Sequence, residues 1–270
     1  MTHFSDTELV SRVISIAQQA ADEINSIRKT NFDIKIKDDS SPVTEADKAS
    51  EVIIIQGLKK YTPSIPVIAE EEIASGIQIP VKSEFWLVDP LDGTKGFIQH
   101  SDNFTINIGL IRDHKPVLGV VACPAYHEYF FGVVNKGAWK IDKTGRIIPI
   151  HVLSPPNQQF RVLFSPRCIK NPSFEKFLKL FNTSSVERFG STLKILRIAE
   201  GKADLHPRFS PTMEWDTAAP QAILEAAGGI IYDFNNQPLQ YGKKNWRNHN
   251  FYCSSIPIDS YLKNTDFKFQ

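Results

Sequence analysis

An apolar segment passes directly into two aspartates at Trp86-Leu87-Val88-Asp89-Pro90-Leu91-Asp92-Gly93-Thr94. The apolar residues predict a buried strand, after which Pro90 ends the hydrogen-bonded ladder and Gly93 allows a tight turn. Such a turn directs both carboxylates and the carbonyl of Leu91 at one point. Hard divalent cations prefer oxygen sets of this kind, whereas zinc prefers histidine or cysteine, which this stretch lacks. A single Asp-Gly pair is typical of an ordinary turn, but the complete string after a hydrophobic strand favours a magnesium site.

Two other acidic positions follow the same pattern. The predicted strand Ile65–Ala69 leads into Glu70-Glu71-Glu72, and Asp216 stands just before a predicted helix. Each alone has an ordinary explanation, a solvated loop for the glutamates and a helix N-cap for Asp216. The candidate set of carboxylates is Glu70, Asp89, Asp92 and Asp216. If these side chains meet in the folded chain, they repel one another unless two or more divalent cations offset their charge. Two-metal sites hold both the attacking and the leaving oxygen of an in-line displacement, so the set predicts phosphoryl-ester hydrolysis.

A threonine and an aspartate form the predicted water-activating pair. Asp47 stands at the start of a predicted helix, in Ser41-Pro42-Val43-Thr44-Glu45-Ala46-Asp47, where Thr44 and Asp47 also match a capping box. In the functional interpretation Asp47 accepts the proton of the Thr94 hydroxyl, so that this oxygen can accept a proton from the attacking water. A bound metal would lower the pKa of that water.

Backbone amides are the predicted donors to the phosphate oxygens. Gly93 and Thr94 supply such amides if they open a short helix. Gly190-Ser191-Thr192, next to a helix predicted over Ser191–Glu200, offers a second group. Lys194 in that helix adds charge to the site in one interpretation and is a solvated surface lysine in the other.

The first half of the chain predicts helices followed by antiparallel strands. An amphipathic helix over Leu9–Ile27 begins at a capping box of Ser5 and Glu8, and a second helix covers Glu45–Lys60. The strands that follow are Phe104–Ile111, Val117–Ala122, Tyr129–Val134 and Ala138–Ile141.

A polar segment divides the chain near residue 155. Ser154-Pro155-Pro156 predicts a boundary between an α+β domain, residues 1–154, and an α/β domain, residues 155–270. The first domain carries most of the predicted metal ligands, and the second supplies Asp216. Strands alternate with helices in the second domain, which includes a helix over Thr217–Ala227 with Pro220 in its first turn.

Composition excludes several classes of protein. Of the 270 residues, 41% are hydrophobic and 23% are charged, which is typical of globular chains and excludes a disordered, collagenous or coiled-coil protein. A net charge of +1 gives no basic excess for nucleic acid. The cysteines stand far apart, which argues against a disulfide framework or a thiolate metal site; they are Cys123, Cys168 and Cys253.

The sequence predicts a cytoplasmic protein without integral membrane segments. It does not open on a charged and then apolar leader, and its apolar runs are far shorter than the roughly 20 residues that a bilayer requires. Peripheral association with the cytoplasmic face of the inner membrane stays open, as does the choice between a monomer and a homodimer.

Five motifs resemble, in order, those of the inositol monophosphatase superfamily: SPVTEAD from Ser41, PVIAEEE from Pro66, WLVDPLDGTKGFI from Trp86, GSTLKILRIAEGKADLH from Gly190 and EWDTAAPQAILEAAGG from Glu214. Within it they look most like the CysQ-type 3′(2′),5′-bisphosphate nucleotidases, a family that removes the 3′-phosphate of adenosine 3′,5′-bisphosphate. The resemblance implies a layered α/β/α/β/α sandwich with an α+β half and an α/β half.

The resemblance also implies roles for the matching residues. It implies two or three Mg²⁺ ions, held by Glu70, Asp89, the Leu91 carbonyl, Asp92 and Asp216. Thr94 and Asp47 match the water-activating pair, and Glu70 joins them as a catalytic residue. The implied substrate contacts are Glu70, Leu91, Asp92, Gly93, Thr94, Gly190, Ser191 and Asp216. Inhibition by lithium, through occupation of a metal site, is a further family trait that we expect here.

Three positions depart from the CysQ-type pattern. Gly96 stands where an acidic residue usually follows DGTK, Asp102-Asn103-Phe104-Thr105 replaces Gly-Glu-Phe-Thr, and Pro220 replaces a glycine. None of these changes removes a metal ligand. The first two lie on the substrate side, so they bear on the identity of the leaving group.

The expected reaction is therefore the Mg²⁺-dependent hydrolysis of adenosine 3′,5′-bisphosphate to AMP and phosphate, with 3′-phosphoadenosine 5′-phosphosulfate as a further substrate. Candidate contacts to the leaving group, each with an ordinary structural explanation as well, are Arg167, Arg208, Phe209 and Trp246. A phosphatase of inositol 1-phosphate or another small sugar or alcohol phosphate is the near alternative. A non-catalytic regulatory protein on the same scaffold is a second alternative, against which the complete set of motif residues argues.

Overall fold

The computed structural model describes residues 5–37, 41–165, 168 and 171–262. Its elements up to residue 150 are α1 (Asp6–Ile27), β1 (Ile34–Ile36), β2 (Pro42–Thr44), α2 (Glu45–Tyr61), β3 (Val67–Ala69), α3 (Glu70–Ala74), β4 (Glu84–Asp92), α4 (Thr94–Ile98), β5 (Thr105–Arg112), β6 (Lys115–Cys123), β7 (Glu128–Val133), β8 (Gly137–Ile141) and β9 (Ile147–Ile150). Both long helices begin at capping boxes, Ser5 with Glu8 and Thr44 with Asp47, which satisfy amides that a first turn leaves unpaired.

Seven strands of this half form one sheet, in the order β3-β4-β5-β6-β7-β8-β9. Neighbouring strands are antiparallel except β3 and β4, which are parallel. The helices α1 and α2 cover one face of the sheet, where Val13 and Ile54 are fully buried in one cluster with Ile108 and Val120 of the strands. Apolar residues three and four apart along α1 place its buried stripe against the sheet.

The elements of the second half are β10 (Phe160–Phe164), α5 (Pro172–Leu178), β11 (Thr183–Arg188), α6 (Leu193–Ala199), β12 (Leu205–Arg208), β13 (Thr212–Met213), α7 (Glu214–Ala226), β14 (Ile230–Asp233), β15 (Arg247–Asn248), β16 (Phe251–Ser254) and α8 (Asp259–Leu262). Five of the strands form a second sheet, in the order β11-β10-β12-β16-β14. In that sheet β10 is parallel to both its neighbours, and β16 is antiparallel to both of its own.

The helices α6 and α7 lie between the two sheets. Leu196 and Ile223 of these helices share a buried cluster with Phe85 of the first sheet and Cys253 of the second. On the outer face of the second sheet, Phe177 of α5 packs in a separate cluster that is rich in phenylalanine. The order of layers is therefore helix, sheet, helix, sheet, helix, which confirms the predicted α/β/α/β/α sandwich. The division into residues 1–154 and 155–270 as separate domains stays a prediction.

Several predicted boundaries were wrong. Helix α7 begins at Glu214, not near Thr217, so Asp216 is its third residue and Pro220 its seventh, well inside the helix. Helix α6 begins at Leu193, two residues later than predicted. Strand β4 continues past Pro90 instead of ending there. The sequence patterns also gave no strand at β11, β12 or β16.

Candidate active site

The two aspartates of β4 come to the same side of the sheet because the strand contains a bulge. Asp89 pairs with Asn107 and Asp92 with Thr105, so two residues of β4 lie opposite one residue of β5. Side chains alternate along a regular strand, and residues three apart would point to opposite faces. The extra residue of the bulge restores the common direction. Pro90 therefore interrupts the ladder between β4 and β5 at the bulge, and the pairing of the two strands resumes at Asp92.

Glu70 lies beside Asp89 because of the register of a parallel strand pair. Strand β3 ends with Ala69, which pairs with Val88 of β4. The next residue after Ala69 is Glu70, and the next residue after Val88 is Asp89. The turn into α3 is held by the Glu71 amide, which donates to Glu51 Oε2 at 2.8 Å. This geometry directs an acidic residue from each strand into the same space.

Asp216 reaches the other two carboxylates from the opposite half of the chain. It is held near the start of α7, where its Oδ2 accepts a hydrogen bond from the Met213 amide at 3.0 Å. One oxygen each of Glu70, Asp89 and Asp216 lies within 4.8 Å of the others. The structure thus brings together three of the four predicted acidic ligands. Asp92, the fourth, accepts the Thr192 amide on its Oδ2 at 2.5 Å.

The electrostatics of the cluster are those of crowded, buried acids. Burial, followed by repulsion from Glu70, Asp92 and Asp216, raises the pKa of Asp89 far above its usual range. Burial and the charges of Asp92 and Glu70 raise the pKa of Asp216 to about 8. Burial also raises the pKa of Glu70, although the Lys37 ammonium opposes the rise. Without a cation, burial and mutual repulsion therefore favour the protonated forms of these carboxyls.

The donor set of this cluster fits Mg²⁺. Its members are carboxylate oxygens, with no histidine or cysteine among the three residues. Hard oxygen ligands of this kind suit Mg²⁺, and a bound divalent cation offsets the repulsion that the pKa values report. The assignment of individual residues as ligands, including the Leu91 carbonyl, stays a prediction.

Thr94 and Asp47 are in hydrogen-bond contact. The Thr94 Oγ1 donor has two acceptors at 3.1 Å, Asp47 Oδ1 and the Leu91 carbonyl oxygen. The other oxygen of Asp47 accepts from the Thr44 amide at 2.8 Å and from the Thr44 hydroxyl at 2.7 Å. The capping role and the contact with Thr94 are thus both present in one buried carboxylate. Burial raises the pKa of Asp47, and the charge of Glu70 adds to the rise.

The predicted amide groups flank the cluster. Gly93, the N-cap just before the short helix α4, has φ +98°, a conformation that favours glycine. Gly190 approaches Asn103 so closely that a Cβ there would lie 3.1 Å from the Asn103 Cβ. The Asn103 position, where the sequence departs from the CysQ-type pattern, therefore borders the Gly190-Ser191 segment. The phosphate contacts of both segments remain predictions.

Two lysines near the site were misjudged or missed. Lys194 is 4% exposed, so the interpretation as a solvated surface residue is wrong. Its ammonium donates to the Ser191 carbonyl, and burial together with Arg208 lowers the pKa of Lys194 to about 8. Lys37 had no predicted role, yet its Nζ lies 2.8 Å from Glu70 Oε1 and 2.6 Å from Glu71 Oε1. Its place after the short strand β1 gave no signal of this long-range contact.

The candidate contacts to the leaving group have different surroundings. Phe209 is buried, and its ring stacks on Phe234 with centroids 5.0 Å apart, which supports a packing role. Trp246 meets Phe85 edge to face at 6.0 Å. Arg208 lies near Asp216 and Lys194, since its charge affects the pKa of both. Arg167 lies outside the described residues.

Comparison with known proteins identifies the family. A model described as "Inositol monophosphatase family" matches residues 6–261. The chain belongs to the inositol monophosphatase family. It is 36% identical over 237 residues to the 3′(2′),5′-bisphosphate nucleotidase CysQ of Escherichia coli strain K12, with 86% of this chain and 94% of the relative covered. The resemblance inferred from the motifs is thereby confirmed.

Solved structures agree with this assignment. A crystal structure of CysQ from Bacteroides thetaiotaomicron, a bacterial member of the family, superposes with a TM-score of 0.76 at 31% identity and covers 92% of this chain and 97% of that one. An inositol monophosphatase from Anabaena has a TM-score of 0.73 at 24% identity, over 94% of each chain, and shows the shared fold. Among the described residues, no helix combines the length and the apolarity needed to cross a membrane.

Proposed function

We propose that this chain is a magnesium-dependent phosphomonoesterase that hydrolyses the 3′-phosphate of adenosine 3′,5′-bisphosphate to give AMP and phosphate. One observation carries the proposal: oxygens of Glu70, Asp89 and Asp216, from three separate elements, meet within 4.8 Å of one another. Thr94 and Asp47, already in hydrogen-bond contact, lie next to that cluster, since the charge of Glu70 affects the pKa of Asp47. The similarity to CysQ nucleotidases over most of the chain supports the choice of substrate.

The proposed ligands of two or three Mg²⁺ ions are Glu70, Asp89, the Leu91 carbonyl, Asp92 and Asp216. Bound Mg²⁺ would act as a Lewis acid toward the phosphoryl oxygens and lower the pKa of the attacking water. Glu70 has a second proposed role in orienting that water. The clustered carboxylates give the site the negative charge that selects a divalent cation.

The proposed water-activating step belongs to Thr94 and Asp47. When the Thr94 hydroxyl donates its proton to Asp47 Oδ1, its oxygen can accept a proton from the attacking water. Asp47 keeps its orientation because its second oxygen is held by the amide and the hydroxyl of Thr44. The amides of Gly93 and Thr94, and those of Gly190 and Ser191, are the proposed donors to the scissile phosphate.

Two cations on the C-terminal side of the cluster support a bisphosphate substrate. Lys194 and Arg208 influence each other electrostatically, and Lys194 also lies near enough to Asp92 for the two charges to interact. The carboxylates of Asp92 and Asp216 offset these two positive charges in part, and a phosphate group nearby would offset them further. We therefore assign the 5′-phosphate to Lys194 and Arg208.

A substrate panel tests the proposal directly. Turnover of adenosine 3′,5′-bisphosphate, 3′-phosphoadenosine 5′-phosphosulfate and inositol 1-phosphate would be compared with Mg²⁺, Ca²⁺ and Li⁺. We expect kcat/KM for the adenosine bisphosphate to exceed that for inositol 1-phosphate by about 10–100-fold, the effect of one charge-assisted contact worth about 1.5–3 kcal/mol. A preference for inositol 1-phosphate would overturn the nucleotidase assignment.

A matched pair of lysine variants tests the assignment of the second phosphate. Lys194→Gln removes the buried ammonium, and we expect it to lower kcat/KM for the bisphosphate while turnover of inositol 1-phosphate changes little. Lys202→Gln is the control, because its 59% exposed side chain contacts only Glu200 among the ion pairs described. Equal losses on both substrates would show that Lys194 supports the fold, not the second phosphate.

A further inference from the structure

One residue touches two of the proposed metal ligands that come from different halves of the chain. Thr192 is 5% exposed and lies just before α6. Its amide donates to Asp92 Oδ2 at 2.5 Å, and its hydroxyl donates to the main-chain carbonyl of Asp216 at 3.1 Å. Thr192 therefore bridges the bulge of β4 and the first turn of α7.

The second of these bonds exists because of a proline. In an α-helix the carbonyl of residue i accepts the amide of residue i+4, and the residue four places after Asp216 is Pro220. Proline has no amide proton to give. The Asp216 carbonyl is thus left without its ordinary helical donor, and the Thr192 hydroxyl donates to it instead. A partly buried carbonyl without any donor would cost up to about 1–3 kcal/mol, the cost of a fully buried one, so this bond matters to the position of α7.

A third bond fixes the direction of the hydroxyl. Asn107 Nδ2 donates to Thr192 Oγ1 at 3.2 Å, and Asn107 is the residue that pairs with Asp89 across the sheet. Because the hydroxyl has a single proton and accepts from Asn107, it directs that proton to the Asp216 carbonyl. The chain of bonds thus runs from the strand pair that holds Asp89 and Asp92 to the helix that holds Asp216.

We propose that Thr192 is a positioning residue that sets the spacing between Asp92 and Asp216 and thereby the affinity for Mg²⁺, with Pro220 as the feature that makes its hydroxyl necessary. This inference rests on the proposed function. It goes beyond the motif resemblance, in which the proline is a departure from the usual glycine. Outer partners of metal ligands typically contribute about 10–100-fold to metal affinity.

A double-variant cycle on the full chain tests the proposal. Thr192→Val removes the hydroxyl at nearly constant volume, Thr192→Ser keeps it, and Pro220→Ala restores an amide donor to Asp216. The Mg²⁺ dissociation constant would be measured by calorimetry, and unfolding in urea would be followed with chelator present. We expect Thr192→Val to weaken Mg²⁺ binding about 10–100-fold and Thr192→Ser to stay within about threefold of wild type.

The cycle distinguishes positioning from general stability. In the Pro220→Ala background, Thr192→Val should cost no more than about threefold, because the new amide replaces the lost donor. Thr62→Val is a control: its buried hydroxyl bonds Leu58 and Trp86, and we expect lower stability with unchanged Mg²⁺ affinity. If Thr192→Val alone fails to fold, the Mg²⁺ dissociation constants of Pro220→Ala and of the double variant are compared instead, with Thr192→Ser as the reference. Rescue of folding by Pro220→Ala would then support the coupling between Thr192 and Pro220.

Two results would overturn the inference. The first is that Thr192→Val binds Mg²⁺ as tightly as wild type, or that it loses the same Mg²⁺ affinity with and without Pro220→Ala. This result would remove the role of Thr192 and leave the proposed function intact. Wild-type protein that does not bind Mg²⁺ at all would overturn the proposed function, and this inference with it.

Discussion

Helix α7 packs against Gly109, Gly119 and Gly132, which lie on three neighbouring strands of the seven-stranded sheet. The central glycine, Gly119, offers a direct test of how Asp216 is positioned. A Cβ built on Gly119 of β6 would lie 2.1 Å from the carbonyl oxygen of Ala219 and 2.8 Å from its carbonyl carbon. Gly109 of β5 lies against the same turn, where a Cβ would be 2.8 Å from the Ala219 amide nitrogen. All of these neighbours are backbone atoms, so no side-chain rotation can relieve the contact.

The size of the effect of Gly119→Ala follows from that contact. A carbon and an oxygen in van der Waals contact stand about 3.3 Å apart, so α7 must retreat from the sheet by roughly 1 Å. Overpacking of this kind costs about 1–3 kcal/mol, which lowers Tm by about 3–10 °C in a chain of this size. Asp216 moves with the helix, and a 1 Å misplacement in an active site can cost about 100-fold in rate.

Thermal unfolding, with chelator and with Mg²⁺, would be measured beside the Mg²⁺ dissociation constant and kcat. Gly96→Ala is the control, since a Cβ there has its nearest neighbour at 3.5 Å, an ordinary contact. We expect the control to keep the wild-type Tm, and Gly119→Ala to lose stability, Mg²⁺ affinity and kcat together. A Gly119→Ala protein with wild-type Tm and Mg²⁺ affinity would refute the close packing of the α7 backbone against β6.

Three further perturbations act on the cluster itself. Thr94→Val removes the donor to Asp47, and kcat should fall about 10²–10⁴-fold while calorimetric Mg²⁺ affinity stays near wild type; an unchanged kcat would contradict the role of the pair. Without metal, urea unfolding should show stability falling as pH rises from about 4 to 8, because the pKa of Asp216 is about 8 in the folded chain and near 4 when unfolded. Added Mg²⁺ should remove that slope, and a metal-free slope of opposite sign would contradict it. Lys37→Gln removes the ammonium beside Glu70, so calorimetry should show tighter Mg²⁺ binding, and the metal-free Tm should fall; weaker Mg²⁺ binding would contradict this competition.

The sequence predicted the acidic ends of strands because those ends are local patterns. A buried apolar run followed by acids is visible in one window, and both capping boxes lie within four residues. The bulge of β4 was not predictable in the same way. Spacing alone puts Asp89 and Asp92 on opposite faces, and only the pairing with β5 shows that the ladder skips a residue.

The start of α7 was misplaced because an acidic residue near a helix start can cap it from more than one position. The ordinary explanation for Asp216 was an N-cap, but its carboxylate reaches back to the Met213 amide from the third helical position. The turn before it is stabilised by Glu214, which is fully buried and accepts the amides of Gly242 and Lys243. Those donors are distant in sequence, so no window around residue 214 could contain the signal.

Strands β11 and β12 of the second half were missed for a different reason. Strand β11 lies at the edge of its sheet and is mostly exposed, so TSSVER has no clear apolar alternation. Strand β12 contains Pro207, which ordinarily argues against a strand inside a sheet. Its parallel pairing with β10 is confined to Val162 with Leu205, so few ladder bonds depend on it. Tertiary packing overrides the local pattern in both cases.

The distribution of the acids over the fold couples metal binding to the docking of the halves. Glu70, Asp89 and Asp92 come from the first sheet and its connections, but Asp216 joins them only when α7 lies on that sheet. In the absence of a cation, the burial of these carboxyls and the repulsion between them oppose this docking, as the raised pKa of Asp216 indicates. A ligand that binds only the docked arrangement stabilises it by about 2.7 kcal/mol at 100 times its dissociation constant. Mg²⁺ should therefore stabilise the interface between the sheet and α7 as well as serve the reaction. Variants that loosen the packing of α7, and variants that remove one of the acids, should both show a weaker increase of Tm with Mg²⁺ concentration.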